Sequence, residues 1–204
     1  MSKILFALPF AGLALIAAKP APAPAPVALP SVVAPPAIAA DPANRWTLEL
    51  FNGGTVVIQL RPDVAPLTVE RIQTLTRQHF YDGLTFHRVI PGFMAQGGDP
   101  KGTGEGGSTL PDLKAEFNGL PHLRGVVSMA RASAEDSANS QFFIVLSPTM
   151  NLDHKYSGFG RVVSGMAAVD GIAPGEPPAD PTRIVHAPLG EAVAAAAVGT
   201  APAQ

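Results

Sequence analysis

The folded part of this chain is confined to short segments, and that confinement narrows its fold more than any other feature. Trp46-Thr47-Leu48-Glu49-Leu50 alternates between apolar and polar residues, and Thr55-Val56-Val57-Ile58-Gln59-Leu60 does so in part. Between them lies Phe51-Asn52-Gly53-Gly54. Asn-Gly tolerates positive φ at both residues and predicts a hairpin. Further strands are predicted over 84–90, 93–96, 125–129, 141–146, 159–163 and 183–187, eight in all. Residues 66–78 predict a helix, because Val69, Ile72 and Leu75 recur at spacings of three and Pro66 suits a first turn. A second, shorter helix is predicted over 165–172. The strands do not alternate with helices, which argues against a parallel sheet. An antiparallel, mainly β architecture, barrel or sandwich, with helices at its ends is the expectation.

Composition divides the chain. Residues 19–43 are mostly Ala, Pro and Val, and 190–204 are Ala-rich. The roughly 145 residues between them suffice for a core without disulfides. Lys3 followed by the apolar run Ile4 to Ala18 reads as an export signal, ending in small residues before Lys19. The run is shorter than the roughly 20 apolar residues that a membrane span needs. The expected organisation is a signal peptide over 1–18, an extended Ala/Pro-rich linker over 19–44, a domain over 45–188 and a tail over 189–204. Proline fixes φ and lacks an N–H, so the linker is expected to act as a semi-rigid spacer.

Several function classes are excluded. The 14 Lys+Arg and 16 Asp+Glu nearly cancel and are scattered, so no basic patch points to nucleic acid. Cysteine is absent, which removes disulfides, thiolate chemistry and a Cys-linked lipid anchor. His79, His122, His154 and His186 are dispersed without metal-ligand spacing, so no metal or cofactor is expected. Gly102-Thr103-Gly104-Glu105-Gly106-Gly107 lacks the Lys-Ser/Thr ending of a phosphate loop and reads as a surface loop.

The chemistry concentrates in Phe86-His87-Arg88-Val89-Ile90-Pro91-Gly92-Phe93-Met94-Ala95-Gln96-Gly97-Gly98-Asp99. One guanidinium, one amide and two large apolar side chains share a strand-turn-strand segment. That set can grip an apolar ring and aim a cation at a peptide group. Strict alternation from Phe93 puts Met94 and Gln96 on the opposite face. A twist or bulge after Pro91-Gly92 would be needed to gather all three. His87, next to Arg88, reads as a hydrogen-bonded structural histidine. For Arg88 alone, a structural pairing with Glu70 or Asp99 is the plainer reading.

Together with Gly125-Val126-Val127-Ser128-Met129-Ala130 and Ser140-Gln141-Phe142-Phe143-Ile144, this segment resembles the cyclophilin family of peptidyl-prolyl cis–trans isomerases. The likeness spans about 45–187. It implies a closed eight-stranded antiparallel barrel capped by two helices. It implies catalysis by Arg88 with Gln96 facing the substrate. Phe93, Met94, Phe143 and Leu152 would form the proline pocket, Ala130 would present its backbone, and Gln141 would be a second glutamine. Arg131, Asn151 and Tyr156 stand where the family usually has asparagine, tryptophan and histidine. They would still contact substrate, but they imply only weak cyclosporin binding. The resemblance also implies a monomer acting on proline-containing unfolded chains, without cofactor. It is closest in character to exported bacterial members, hence a periplasmic location.

The residues suit that chemistry. Amide resonance opposes rotation by about 18–20 kcal/mol. X–Pro bonds have little trans preference yet exchange slowly. No covalent bond need break, so the task is to stabilise a twisted amide whose nitrogen has regained its lone pair. Arg88, always charged and rigidly multi-donor, fits that task at any ordinary pH. Two other readings are a non-catalytic proline-segment binding module or holdase, and a hydrolase using Ser128 or Ser140. The hydrolase lacks an evident His–carboxylate pair in the sequence.

Overall fold

A computed structural model describes residues 32–190. The expected signal segment, the first part of the linker and residues 191–204 lie outside the described residues. Eight strands and three short α-helices are present among the described residues. The strands are β1 Arg45–Leu50, β2 Thr55–Leu60, β3 Arg88–Ile90, β4 Met94–Gly97, β5 Val126–Met129, β6 Phe142–Val145, β7 Gly158–Ser164 and β8 Ile184–His186. The helices are α1 Pro36–Ala40, α2 Pro66–Arg77 and α3 Met166–Asp170.

All eight strands form one curled antiparallel sheet in the order β3-β4-β6-β5-β7-β2-β1-β8. This corrects the expectation of a closed barrel. No ladder joins β3 to β8, and the sheet is an open half-barrel. The seam carries the isolated bridge Thr85↔Arg183 and hydrogen bonds from Gly83 N to Ile184 O (2.7 Å), Ile184 N to Leu84 O (2.8 Å) and Phe86 N to Thr182 O (3.0 Å) in place of a ladder. The physical reason is length: β3 and β8 hold three residues each, so the predicted 84–90 strand is ladder-paired only at its end.

The first hairpin forms as its turn residues require. Gly53 takes φ +81°, Leu50 N donates to Gly54 O (2.8 Å), and the ladder runs from Arg45↔Gln59 to Glu49↔Thr55. The inner face of the sheet carries the main core, where Trp46, Phe86 and Phe142 are fully buried. Trp46 packs edge-on against Phe142 with ring centroids 4.9 Å apart. Each such side chain contributes about 1.5–3 kcal/mol by leaving water. Helix α2 adds Val69, Ile72 and Leu75, the three residues that predicted it. Its first turn lacks a capping side chain of its own. The Glu116 carboxylate supplies one from a distance, accepting from Leu67 N (2.9 Å), Thr68 N (2.8 Å) and Thr68 Oγ1 (2.7 Å). A carboxylate there also suits the positive end of the helix dipole.

The linker expectation also changes. Over its described part, residues 36–44 form α1 and a 3-10 turn, and Gln59 Nε2 donates to Ile38 O (3.3 Å). Between Pro36 and Pro42 the chain is free of proline, so backbone N–H groups are available to close turns. At the other end, Leu189 bridges Trp46, and Gly190 N donates to Arg45 O (3.0 Å). The first residues of the expected tail therefore pack with the domain. No helix among the described residues is long and apolar enough to cross a membrane.

Candidate functional site

The outer face of the half-barrel carries a second, smaller cluster, with Met94, Leu120, Val126, Phe143 and Val145 buried in it. Register explains why the site residues meet there. Arg88 stands opposite Gln96, Gln96 opposite Phe143, and Phe143 opposite Ser128. These four form one outward row across β3, β4, β6 and β5. The next row, Val89–Ala95–Ile144–Val127, faces the inner core.

No bulge is needed to gather Phe93, Met94 and Gln96, contrary to the expectation from strict alternation. Strand β4 begins at Met94, so Met94 and Gln96 are two apart and share the outer face. Phe93 belongs to the preceding turn and escapes the alternation. That turn places Pro91 before Gly92 at φ +73°, and Phe93 N donates to Ile90 O (3.0 Å). Glycine there avoids the strain a side chain would meet.

Arg88, Phe93, Met94, Gln96, Ala130, Arg131, Phe143, Leu152 and Tyr156 line one small cleft of about 150 Å³. Its floor is held by aromatic contacts. Phe143 meets Tyr156 edge-on at 5.6 Å and stacks with His122 at 6.2 Å. Arg131 lies over the Tyr156 ring at 4.9 Å, and its Nη1 donates to Ala132 O (2.9 Å). The residues standing at the family's asparagine and histidine positions thus brace each other through a cation–π contact.

Two expected site residues do not line this cleft itself. Asn151 is exposed and does not line the cleft. Gln141 lines a larger adjoining groove of about 520 Å³, bounded also by Gly104, Gly106, Arg131 and Asn139. There it acts as a brace. Its Nε2 donates to Gly104 O (2.9 Å) and Gly106 O (2.7 Å), and its Oε1 accepts from Gln96 Nε2 (2.8 Å). Gln96 is thereby oriented from behind.

Arg88 pairs with neither Glu70 nor Asp99. Its Nε donates to Glu176 Oε2 at 2.7 Å, and about two fifths of its side chain is exposed. Asp99 instead organises the glycine loop, accepting from Lys101 N (2.8 Å), Thr103 N (2.9 Å) and Gly104 N (2.6 Å). Burial pushes its carboxyl up, but these amides outweigh that and hold it below the usual carboxylate range. His87 is buried as expected of a structural histidine. However, neither ring nitrogen makes a hydrogen bond of normal geometry, which corrects the expectation of a hydrogen-bonded ring.

Beneath Phe143 lies an array that sequence spacing did not show. Ser128 Oγ is 2.9 Å from His122 Nε2, and His122 Nδ1 is 2.8 Å from Asp153 Oδ1. A hydrolase built on Ser128 needs a His–carboxylate pair, and the pair exists. Ser128 and His122 are both fully buried, so no substrate carbonyl reaches the hydroxyl. The array fixes the rear of the pocket floor. Glu176 lies 88 residues from Arg88 and Asp153 lies 31 from His122, so no local spacing marks these pairings.

The site can seat a small apolar ring against Phe143 and Met94, with a guanidinium and an amide on its rim. The family model for cyclophilin type peptidyl-prolyl cis-trans isomerase/CLD matches residues 47–188. A Brucella suis protein named "Probable peptidyl-prolyl cis-trans isomerase" is 49% identical over 146 residues, covering 66% of this chain and 74% of its own. Peptidyl-prolyl cis-trans isomerase B of Bacillus subtilis is 44% identical over 129 residues, covering 62% and 89%. The crystal structure of cyclophilin AquaCyp293 from Hirschia baltica superposes with a TM-score of 0.69 at 31% identity, covering 73% of this chain and 74% of that one. A Cryptosporidium parvum cyclophilin, solved in the presence of the dipeptide Ala-Pro, has a TM-score of 0.68 at 27% identity, covering 72% and 99%. The matched family model, the sequence relatives and the shared fold together place this chain in the family of cyclophilin-type peptidyl-prolyl cis–trans isomerases.

Proposed function

We propose that Arg88 carries the isomerisation, with Gln96 as its partner on the substrate and Phe93, Met94, Phe143 and Leu152 as the proline seat. The observation that supports this most is the single outward row Arg88–Gln96–Phe143 on the wall of the small cleft. A proline ring held against Phe143 lies beside the row that carries the guanidinium. As the preceding carbonyl swings, the imide nitrogen pyramidalises, and an N–H donor stabilises that state more than the planar one. Gln96, held by Gln141, can fix a substrate carbonyl while the amide twists. The Ala-Pro dipeptide used with the Cryptosporidium relative is consistent with a minimal ligand of this chemistry.

The clients are proline-containing segments of unfolded polypeptides, met after export across the inner membrane and assisted in folding. Lys3 and the apolar run after it support that location, and fractionation with N-terminal sequencing tests it. The protein acts as a monomer and needs no nucleic acid. Cyclosporin binding is weak, because Asn151 lies outside the cleft and offers it no ring.

The test is exchange of an Ala-Pro peptide followed by NMR. Arg88→Ala is expected to lower kcat/KM by about 10²-fold, the usual cost of one preorganised donor. Arg88→Lys keeps the charge but loses the fork, and restores about a tenth or less of the rate. Folding is a small confounder. The Arg88–Glu176 pair is exposed and contributes about 0–1 kcal/mol, so Tm shifts by less than about 4 °C. Equal rates for wild type and Arg88→Ala remove Arg88 from the mechanism. Peptide binding without faster exchange would assign a binding module instead.

A further inference from the structure

Two histidines separated by most of the domain meet outside the cleft and share no residue with it. His79 comes just after Gln78, the C-cap of helix α2, in the left-handed region at φ +55°. His186 ends β8, where the ladder with β1 slips: Glu49 faces His186, but the next residue, Leu50, faces Ile184. In regular alternation His186 would share the inward face of fully buried Ile184. The slip instead leaves its side chain two fifths exposed, opposite Glu49.

Asp82 joins the two rings. Its Oδ2 lies 3.1 Å from His79 Nδ1 and 2.8 Å from His186 Nδ1. Its Oδ1 accepts from Ala187 N (2.9 Å), which fixes the carboxylate's orientation. The rings are nearly parallel, 5.7 Å apart at 13°, and present the same edge to the same oxygen. The three ligand atoms all lie within 4.8 Å of one another.

We propose that His79, Asp82 and His186 form a binding site for a divalent transition-metal ion of borderline softness, with Zn²⁺ as the reference ion and the fourth position open to water. Zinc takes imidazole nitrogen and carboxylate oxygen at about 2.0–2.2 Å, so tetrahedral ligand atoms stand about 3.3–3.5 Å apart. The observed separations need only small movements to reach that. Two imidazoles favour Zn²⁺, Ni²⁺ or Cu²⁺ over the hard ions Mg²⁺ and Ca²⁺. The Ala187 amide on Asp82 is the kind of outer partner that holds a ligating carboxylate in place. Glu49 adds negative charge opposite His186. An ion here spans the open seam, tying the segment after α2 to β8 where no ladder does so. The site is a structural clip, independent of the isomerase reading.

Calorimetric titration of the tag-free full chain with ZnCl₂ tests it, with thermal unfolding and exchange rates measured in parallel. Saturable binding of one ion per chain is expected, with Tm raised by about 5–10 °C at saturating Zn²⁺. His186→Asn and His79→Asn should each weaken binding by at least about tenfold. Asparagine is chosen because it tolerates positive φ at position 79. Isomerase rates of both variants should match wild type. Absence of saturable Zn²⁺ binding overturns the site. So does binding unchanged in both variants, which would place the ion on other histidines. Mg²⁺ binding as tightly as Zn²⁺ would overturn the assigned ligand chemistry.

Discussion

Acidification should loosen this protein well above the range in which carboxylates titrate. His122 is buried, and burial holds its ring below the ordinary histidine value of 6.5, with Asp153 pulling only partly back. His87 is shifted the same way, again chiefly by burial, with Asp99 opposing and Arg88 adding to it. Both rings are therefore neutral in the fold and take up protons more readily once unfolded. Their contribution is complete above about pH 6.5 and is lost as pH falls toward the folded-state values. One proton corresponds to about 1.4 kcal/mol per pH unit, so two rings give an upper slope of about 2.7 kcal/mol per unit. Against a total stability of about 5–15 kcal/mol, one pH unit is a large fraction. Asp63, Asp82 and Asp99 are each held below 3.8 and lose their contributions only at lower pH, which leaves the window from 6.5 to about 4.5 to the histidines. Urea unfolding at half-unit steps from pH 8 to 4.5 is the assay. The lone Trp46, fully buried, supplies the fluorescence signal. Stability that stays level or rises between pH 6.5 and 4.5 would show that burial does not govern these two rings.

Other outcomes follow from the same geometry. Gln141→Ala removes the hold on Gln96 and on the Gly104 and Gly106 carbonyls, so kcat/KM should fall about tenfold. Hydrogen exchange over 102–107 should quicken in that variant, and unchanged values in both measurements would deny Gln141 its bracing role. Gly98→Ala forces a side chain onto φ +85° with its Cβ 2.5 Å from Ser140 O. It should lose about 1–3 kcal/mol in denaturant unfolding, and a neutral result would mean that the β4 exit relaxes freely.

Much of the fold was legible because local rules and the final structure agree. Asn52-Gly53 can turn tightly whatever surrounds it, and Val69, Ile72 and Leu75 mark one helix face in any context. The cleft residues were legible for another reason, namely that a long run from Phe86 to Asp99 resembles a family. Composition and periodicity alone reached only an antiparallel, mainly β architecture. Alternation misjudged Phe93 because it cannot tell a turn residue from a strand residue. The closure that the resemblance implied is not met, because β3 and β8 hold three residues each and no ladder joins them.

The rest depended on distance in the chain. Sequence by itself determined the strand segments, the helix faces, the hairpin turn and the presence of a cation beside an apolar seat, since each follows from neighbours within a few residues. Only tertiary structure decided that Glu176 meets Arg88, that Glu116 caps α2 and that Ser128, His122 and Asp153 line up under Phe143. It alone brought His79 and His186 to one carboxylate. Such meetings arise from sheet curvature and a one-residue slip in register, which spacing along a chain does not encode.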